Sequence, residues 1–155
     1  MLSPRLAGAR VLDGYAGTGA VGIEALSRGA AHVTFVDADA RAVRLIERNL
    51  QRCAVSDRYA IIRARFADTA TRWAAGTFDL VLLDPPYGQD DLASALGAAA
   101  PLMAAEGLLV IEHARRDDAP AGVASITKMR DIFSGDSALS LYAVREDGEG
   151  SAGTL

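Results

Sequence analysis

Arg10-Val-Leu-Asp13-Gly-Tyr-Ala-Gly17-Thr-Gly19-Ala-Val-Gly22 is the stretch that decides the fold. A short apolar run ends in an acid, three glycines follow, and Ala20 to Ser27 then places Val21, Ile23, Ala25 and Leu26 at helical spacing. Strand, glycine turn and helix in that order predict a buried parallel strand feeding a crossover helix, with Gly29 placed to stop the helix. Glycines at such a turn let the backbone approach a ligand closely, and the helix start offers unpaired N–H groups.

Outward from this stretch, β-rich runs alternate with helical patterns, as in an α/β sheet. His32 to Asp37 reads as the second strand, and Asp39 as the N-cap of a helix through Gln51 with Val43, Ile46 and Leu50 on one face. Tyr59 to Arg63 is the third strand, followed by a weakly patterned helix around Thr69 to Trp73. Phe78 to Leu83 is the fourth strand and runs into Asp84-Pro-Pro-Tyr87. An Ala/Leu-rich helix from Asp91 to Ala104, closed by Gly107, leads to a fifth strand from Gly107 to His113. Ile126–Phe133 and Ala138–Val144 are too close in sequence for a parallel crossover, so they must pair antiparallel or lie at an edge. The expected architecture is one doubly wound α/β domain over residues 1–145, with a C-terminal antiparallel hairpin and a disordered acidic tail at 146–155.

Composition narrows the function classes. The chain has 155 residues and a formal net charge of −4, and a mean hydropathy of +0.15. That length supports one core and leaves little room for a separate substrate domain. Its longest apolar runs fall far short of the roughly 20 residues of a membrane helix. Met1 to Arg5 shows no secretory h-region. One cysteine, Cys53, excludes an internal disulfide, and with only His32 and His113 a zinc cluster is not expected. A reducing cytoplasm fits this usage. Three acids lie in the tail, so the body carries 16 basic and 17 acidic side chains. Within it, residues 41–65 hold seven arginines against Glu47 and Asp57, a local +5. The global charge argues against nonspecific nucleic-acid coating but leaves a local RNA-binding face open; an equally good reading is a solvated, Arg-rich helix face.

Gly17, Gly19 and Gly22 match G-x-G-x-x-G, and Asp37 lies 18 residues after Gly19 at the end of the second strand. There an acid can grip ribose hydroxyls, so dinucleotides and S-adenosylmethionine compete as cofactors. Asp13 separates them, because an acid ahead of the glycines suits an ammonium and repels a pyrophosphate. Asp84-Pro85-Pro86-Tyr87 suits methylation of an amino group on an aromatic ring. The Asp84 carboxylate and the Pro85 carbonyl can accept N–H bonds and draw lone-pair density back onto nitrogen. The two prolines fix the backbone, and Tyr87 can stack on the base.

These residues resemble those of the RsmD-type methyltransferases. The resemblance rests on Leu12-Asp-Gly-Tyr-Ala-Gly-Thr-Gly-Ala-Val-Gly-Ile-Glu-Ala-Leu-Ser-Arg-Gly-Ala30 and Phe78-Asp-Leu-Val-Leu-Leu-Asp-Pro-Pro-Tyr87. Ile111-Glu-His113 and Gly135-Asp-Ser-Ala-Leu-Ser-Leu-Tyr142 match more weakly, and the whole covers about residues 10–144. It implies a Rossmann-like seven-stranded sheet and S-adenosylmethionine as cofactor, with guanine N2 of 16S ribosomal RNA as the methylated group. It further implies cofactor contacts at Asp13, Tyr15, Gly17, Gly19, Asp37 and Asp84, catalysis by Asp84, Pro85 and Tyr87, and base binding by Pro86 and Tyr87. Phe66 is expected near the adenine and Asp68 as a helix cap. Adenine-N6 or glutamine-amide methylation would use the same Asp-Pro-Pro-Tyr geometry, and an NAD(P)-dependent oxidoreductase is the alternative from another class. The expected partner is ribosomal RNA, in an assembled small subunit or free, with the enzyme a monomer. Family members usually begin with a further basic segment, which this chain is expected to lack. Cys53 and Trp73 are expected to be packed or half-exposed, His32 and His113 to be satisfied structural histidines, and Glu24 to serve packing or capping as readily as ligand contact.

Overall fold

The computed structural model describes residues 3–86 and 89–146. A short helix α1 (Ser3–Leu6) precedes β1 (Arg10–Asp13), α2 (Ala20–Ser27), β2 (His32–Asp37), α3 (Ala40–Arg52) and β3 (Tyr59–Arg63). After α4 (Phe66–Thr69) come β4 (Phe78–Leu83), α5 (Gln89–Ala99), β5 (Met103–Ala114), β6 (Gly122–Val123), β7 (Ile126–Ser134) and β8 (Ser137–Val144). They form one sheet in the order β3-β2-β1-β4-β5-β8-β7-β6. The first five strands are parallel; β8, β7 and β6 run antiparallel to their neighbours.

Strands covered on both faces are buried without alternation, and Val33 to Val36 in β2 is such a run, with Thr34 its one polar member. One face packs Leu26 of α2 and Ile46 and Leu50 of α3 against Val11, Phe35 and Leu80. The other packs Leu92 and Leu96 of α5 against Leu12, Val81, Ile111 and Tyr142. Tyr142 is fully buried, and its hydroxyl donates to the Pro120 carbonyl at 2.6 Å. The chain leaves β1 toward β2 on one side and returns to place β4 on the other. The C-terminal ends of β1 and β4 therefore flank the topological switch point, where open α/β sheets bind ligands.

All seven expected strands are present, and the C-terminal pair is the antiparallel hairpin, closed by Gly135 (φ 59°) and Asp136. The eighth strand, β6, is two residues long and too short to leave a period in the sequence. Gly29, at φ 99°, does end α2. The Gly29 N–H donates to Leu26 at 3.2 Å and the Ala30 N–H to Ala25 at 3.0 Å, which makes a Schellman motif. Asp39 caps α3 by accepting from the Arg41 N–H at 2.8 Å.

Three expectations need correction. The helix expected at Asp91–Ala104 ends at Ala99, because Pro101 sits in a 3₁₀ turn from which β5 starts at Met103. Gly107 therefore lies inside a strand, where a Cβ would stand 2.9 Å from the Ala104 carbonyl oxygen, beside a register shift between Phe78 and Leu80. The helix expected around Thr69–Trp73 begins earlier, as α4 followed by a 3₁₀ turn at Ala70–Arg72. Asp68 is in the first turn of α4 and caps nothing; Arg65 holds the N-cap position without a side-chain bond. Trp73 is half-buried and meets Phe78 edge-on at 5.3 Å. The tail expected at 146–155 lies outside the described residues beyond Glu146.

Candidate active site

The glycine turn is bound to the end of β2 by hydrogen bonds. The Ala16 N–H donates to the Val36 carbonyl at 2.9 Å, and the Gly17 N–H donates to Asp37 Oδ2 at 2.9 Å. Asp37 Oδ1 accepts the Asp39 N–H at 2.9 Å. One backbone amide on each oxygen fixes this carboxylate and leaves a further lone pair on each oxygen for ribose hydroxyls. Gly19 adopts φ 79°, which a side chain rarely tolerates, and is the residue from which α2 starts. Gly22 serves packing instead: a Cβ there would lie 2.3 Å from Phe35 Cε1, so α2 sits directly on β2.

Asp13 ends β1 and is buried. The Gly22 N–H donates to its carboxylate, yet Oδ2 has no partner. Burial, with the charges of Asp37 and Asp84 adding to it, pushes this carboxyl up to about 7. A buried, half-satisfied carboxylate facing two further acids is complementary to a cation. It is poorly suited to a pyrophosphate.

Gly14, Tyr15, Gly17, Asp37, Phe66 and Asp84 all line one cleft of about 590 Å³ at the C-terminal edge of the sheet. The cofactor residues expected from sequence, Asp13 and Gly19 apart, are thus brought to one cleft. Phe66 is buried and packs on Tyr15 with ring centroids 5.6 Å apart. Burial and the charge of Asp91 raise the Tyr15 hydroxyl above its ordinary range. Ala64, Arg65, Asp91 and Ser94 also line the cleft and were not anticipated. The sequence signal for Ala64 and Arg65 was their place just past the end of β3; Asp91 and Ser94 offered none, because their approach depends on how α5 crosses the sheet. Gly14 was missed as well. A Cβ on it would lie 2.6 Å from Leu83 Cδ2 and 3.1 Å from Phe66 Cδ2, a restriction set by two distant segments.

Asp84 and Pro86 share this cleft with the residues expected to hold the cofactor and also line a second, smaller pocket of about 60 Å³, with Pro85, Leu92, Glu112 and His113. Pro85 is buried and Asp84 exposed. Partial desolvation of its carboxyl and the charge of Glu112 nonetheless raise Asp84 above the usual carboxylate range. Asp84 thus stands between two chambers. Tyr87, expected to stack on the base, lies outside the described residues.

The Arg-rich stretch divides. Arg65, between β3 and α4, lines the cleft; Arg63 ends β3, and Arg41 and Arg44 lie in the first half of α3. All four are exposed, and none has an ion pair among the described residues. Arg48 and Arg52 lie toward the far end of α3, and Arg58 precedes β3 and donates to the Ala30 carbonyl at 2.8 Å. Cys53 is exposed rather than packed. His113 is buried, with Nε2 2.7 Å from Ser140 Oγ and Nδ1 2.9 Å from the Ala114 carbonyl, a satisfied structural histidine. Glu24 accepts from the Arg28 guanidinium at 2.7 Å on the surface of α2. No helix among the described residues is long and apolar enough to cross a membrane.

A parallel sheet with an antiparallel C-terminal hairpin and this edge constellation defines the class: a methyltransferase with a Rossmann-like fold. Residues 1–143 match the family described as conserved hypothetical protein 95, and the chain belongs to it, the RsmD-type methyltransferase family. The Bacillus subtilis protein named "Putative rRNA methyltransferase YlbH" is 33% identical over 150 residues, covering 94% of this chain and 81% of that protein. Ribosomal RNA small subunit methyltransferase D of Escherichia coli is 28% identical over 154 residues, covering 97% and 76%. The crystal structure of a "putative methylase" from Haemophilus influenzae superposes with a TM-score of 0.78 at 28% identity, covering 94% of this chain and 92% of that one.

Proposed function

We propose that this chain methylates an exocyclic amino group of ribosomal RNA, guanine N2 of the small subunit, using S-adenosylmethionine. The observation that carries the reading is the position of Asp84: it shares one cleft with Asp37 and the glycine turn and opens on its other side into a second pocket. The unpartnered Asp13 oxygen favours an ammonium, and so S-adenosylmethionine over NAD. The names of the Bacillus and Escherichia relatives support ribosomal RNA as substrate. Within this proposal the chain acts as a monomer in the cytoplasm, on the RNA alone or in the assembled small subunit.

Asp13 would hold the amino group of the cofactor's methionine end, Asp37 the ribose hydroxyls, and Phe66 with Tyr15 the apolar wall beside the adenine. S-adenosylmethionine supplies, when bound, an electrophilic methyl group on a leaving group that is already activated. The rest is positioning. Asp84 and the Pro85 carbonyl accept the N–H bonds of the target amine, which keeps its lone pair out of the ring and aimed at the cleft. Pro86, and Tyr87 by its place in the sequence, are assigned to the flat faces of the base. Asp84 need not be a strong base, since the alkylated nitrogen sheds its proton readily, and the carboxylate is at hand to receive it.

The test is a pair of variants. Asp84→Ala should lower labelled methyl transfer by about a hundredfold or more, while calorimetric affinity for S-adenosylhomocysteine changes little. Asp37→Ala should weaken that affinity first. Near wild-type transfer by Asp84→Ala would remove the base pocket from this reading.

A further inference from the structure

Resting on that reading, we infer that Glu112 is the residue that selects guanine, by accepting the N1–H of the base while Asp84 holds its 2-amino group. Leu83 of β4 and Ile111 of β5 are register partners, so Asp84, the first residue past β4, and Glu112, the next residue of the parallel strand β5, lie next to each other at the ligand edge. Both line the 60 Å³ pocket, whose other walls include Pro85, Pro86 and Leu92. Glu112 is exposed and makes no hydrogen bond or ion pair among the described residues, and its charge is felt at Asp84. The Ile111-Glu-His113 segment thus carries a carboxylate that neither the sheet nor the cofactor cleft uses.

The chemistry of the base decides what two adjacent acceptors select. Guanine presents N1–H and N2–H₂ side by side, two donors in a row. Adenine presents its amino group beside N1, and cytosine beside N3; each of those ring nitrogens is an acceptor. With Asp84 holding the amino group, Glu112 meets a donor on guanine and a lone pair on either rival. A site built to receive a hydrogen bond rejects the base that cannot supply it, because its carboxylate is then desolvated without a partner. The discrimination expected from such a contact is roughly tenfold to a hundredfold.

The experiment compares methyl transfer to small-subunit RNA carrying guanine or 2-aminopurine at the accepting position, using the full chain. 2-Aminopurine keeps the 2-amino group and lacks N1–H; it also lacks O6, so the decisive quantity is how the guanine/2-aminopurine ratio of kcat/KM changes in variants. Wild type should prefer guanine by roughly tenfold to a hundredfold. Glu112→Ala should bring the ratio near one, and Glu112→Gln, which keeps an oxygen acceptor, should retain part of it. S-adenosylhomocysteine affinity should be unchanged in both, which verifies folding. A wild type without preference, or a Glu112→Ala variant that keeps the wild-type preference, overturns the role of Glu112 and leaves guanine-N2 methylation standing. Methyl found on adenine N6, or no transfer to guanine at all, removes the proposed function and this inference with it.

Discussion

Asp13 is the residue where folding and ligand binding conflict. Its unfolded carboxyl titrates near 3.8, and in the ligand-free fold it titrates near 7. Between those values the folded state binds the extra proton, so this group's favourable share of stability is full below about 4 and is lost as pH rises to about 7. In the proposed function, a cofactor ammonium at Asp13 reverses the shift and expels the proton. S-adenosylhomocysteine affinity should therefore rise by up to about tenfold per pH unit from 5.5 toward 7 and level off above it. Titrations in buffers of different ionisation enthalpy should show proton release only on the acid side. An Asp13→Asn variant should lose the pH dependence. Ligand-free, it should melt above wild type at pH 8 by a margin that shrinks toward pH 5. Asp13, Asp37 and Asp84 were legible because each ends or directly follows a strand, and strand ends can be read from apolar runs. Glu112 could be placed at a strand end but not beside Asp84, because neighbours across a sheet are fixed by register, which no local pattern states.

At the scale of elements, α2 sets the position of the glycine turn, and Gly22 sets the position of α2. An added methyl would meet Phe35 Cε1 at 2.3 Å and Val33 Cγ1 at 2.9 Å, both within the core. Gly22→Ala should cost about 1–3 kcal/mol by overpacking, seen as a melting temperature lower by several degrees, and should weaken cofactor binding because the turn moves with the helix. Gly17→Ala is the contrast. Its Cβ would enter open space, so only the strain of φ 57° opposes it, and its melting temperature should fall less. The fingerprint named these glycines; their different duties needed the structure. Helix limits were legible where a cap marks them, as at Asp39 and Gly29. They were misread at α4 and α5, where a 3₁₀ turn continues the helical pattern past the true end.

Across the whole molecule, one edge of one sheet carries the chemistry. β1, β2 and β3 bring to it the residues proposed to hold the cofactor, β4 brings Asp84, and β5 brings Glu112. The antiparallel hairpin was legible from the short Ser134-Gly135-Asp136 connection. Its insertion of β8 directly beside β5 was not, since nothing in a strand's own pattern says which neighbour it takes. The charge of the chain also reads differently once folded: of the seven arginines in residues 41–65, Arg65 lines the cleft, while Arg58 is engaged with the Ala30 carbonyl. The central claim is methyl transfer from this edge to a guanine amino group of ribosomal RNA. It is tested most directly by incubating the protein with labelled S-adenosylmethionine and small ribosomal subunits or their RNA, then digesting to nucleosides. The account predicts label in N2-methylguanosine, lost with Asp84→Ala; label in N6-methyladenosine, or in no nucleoside at all, would contradict it.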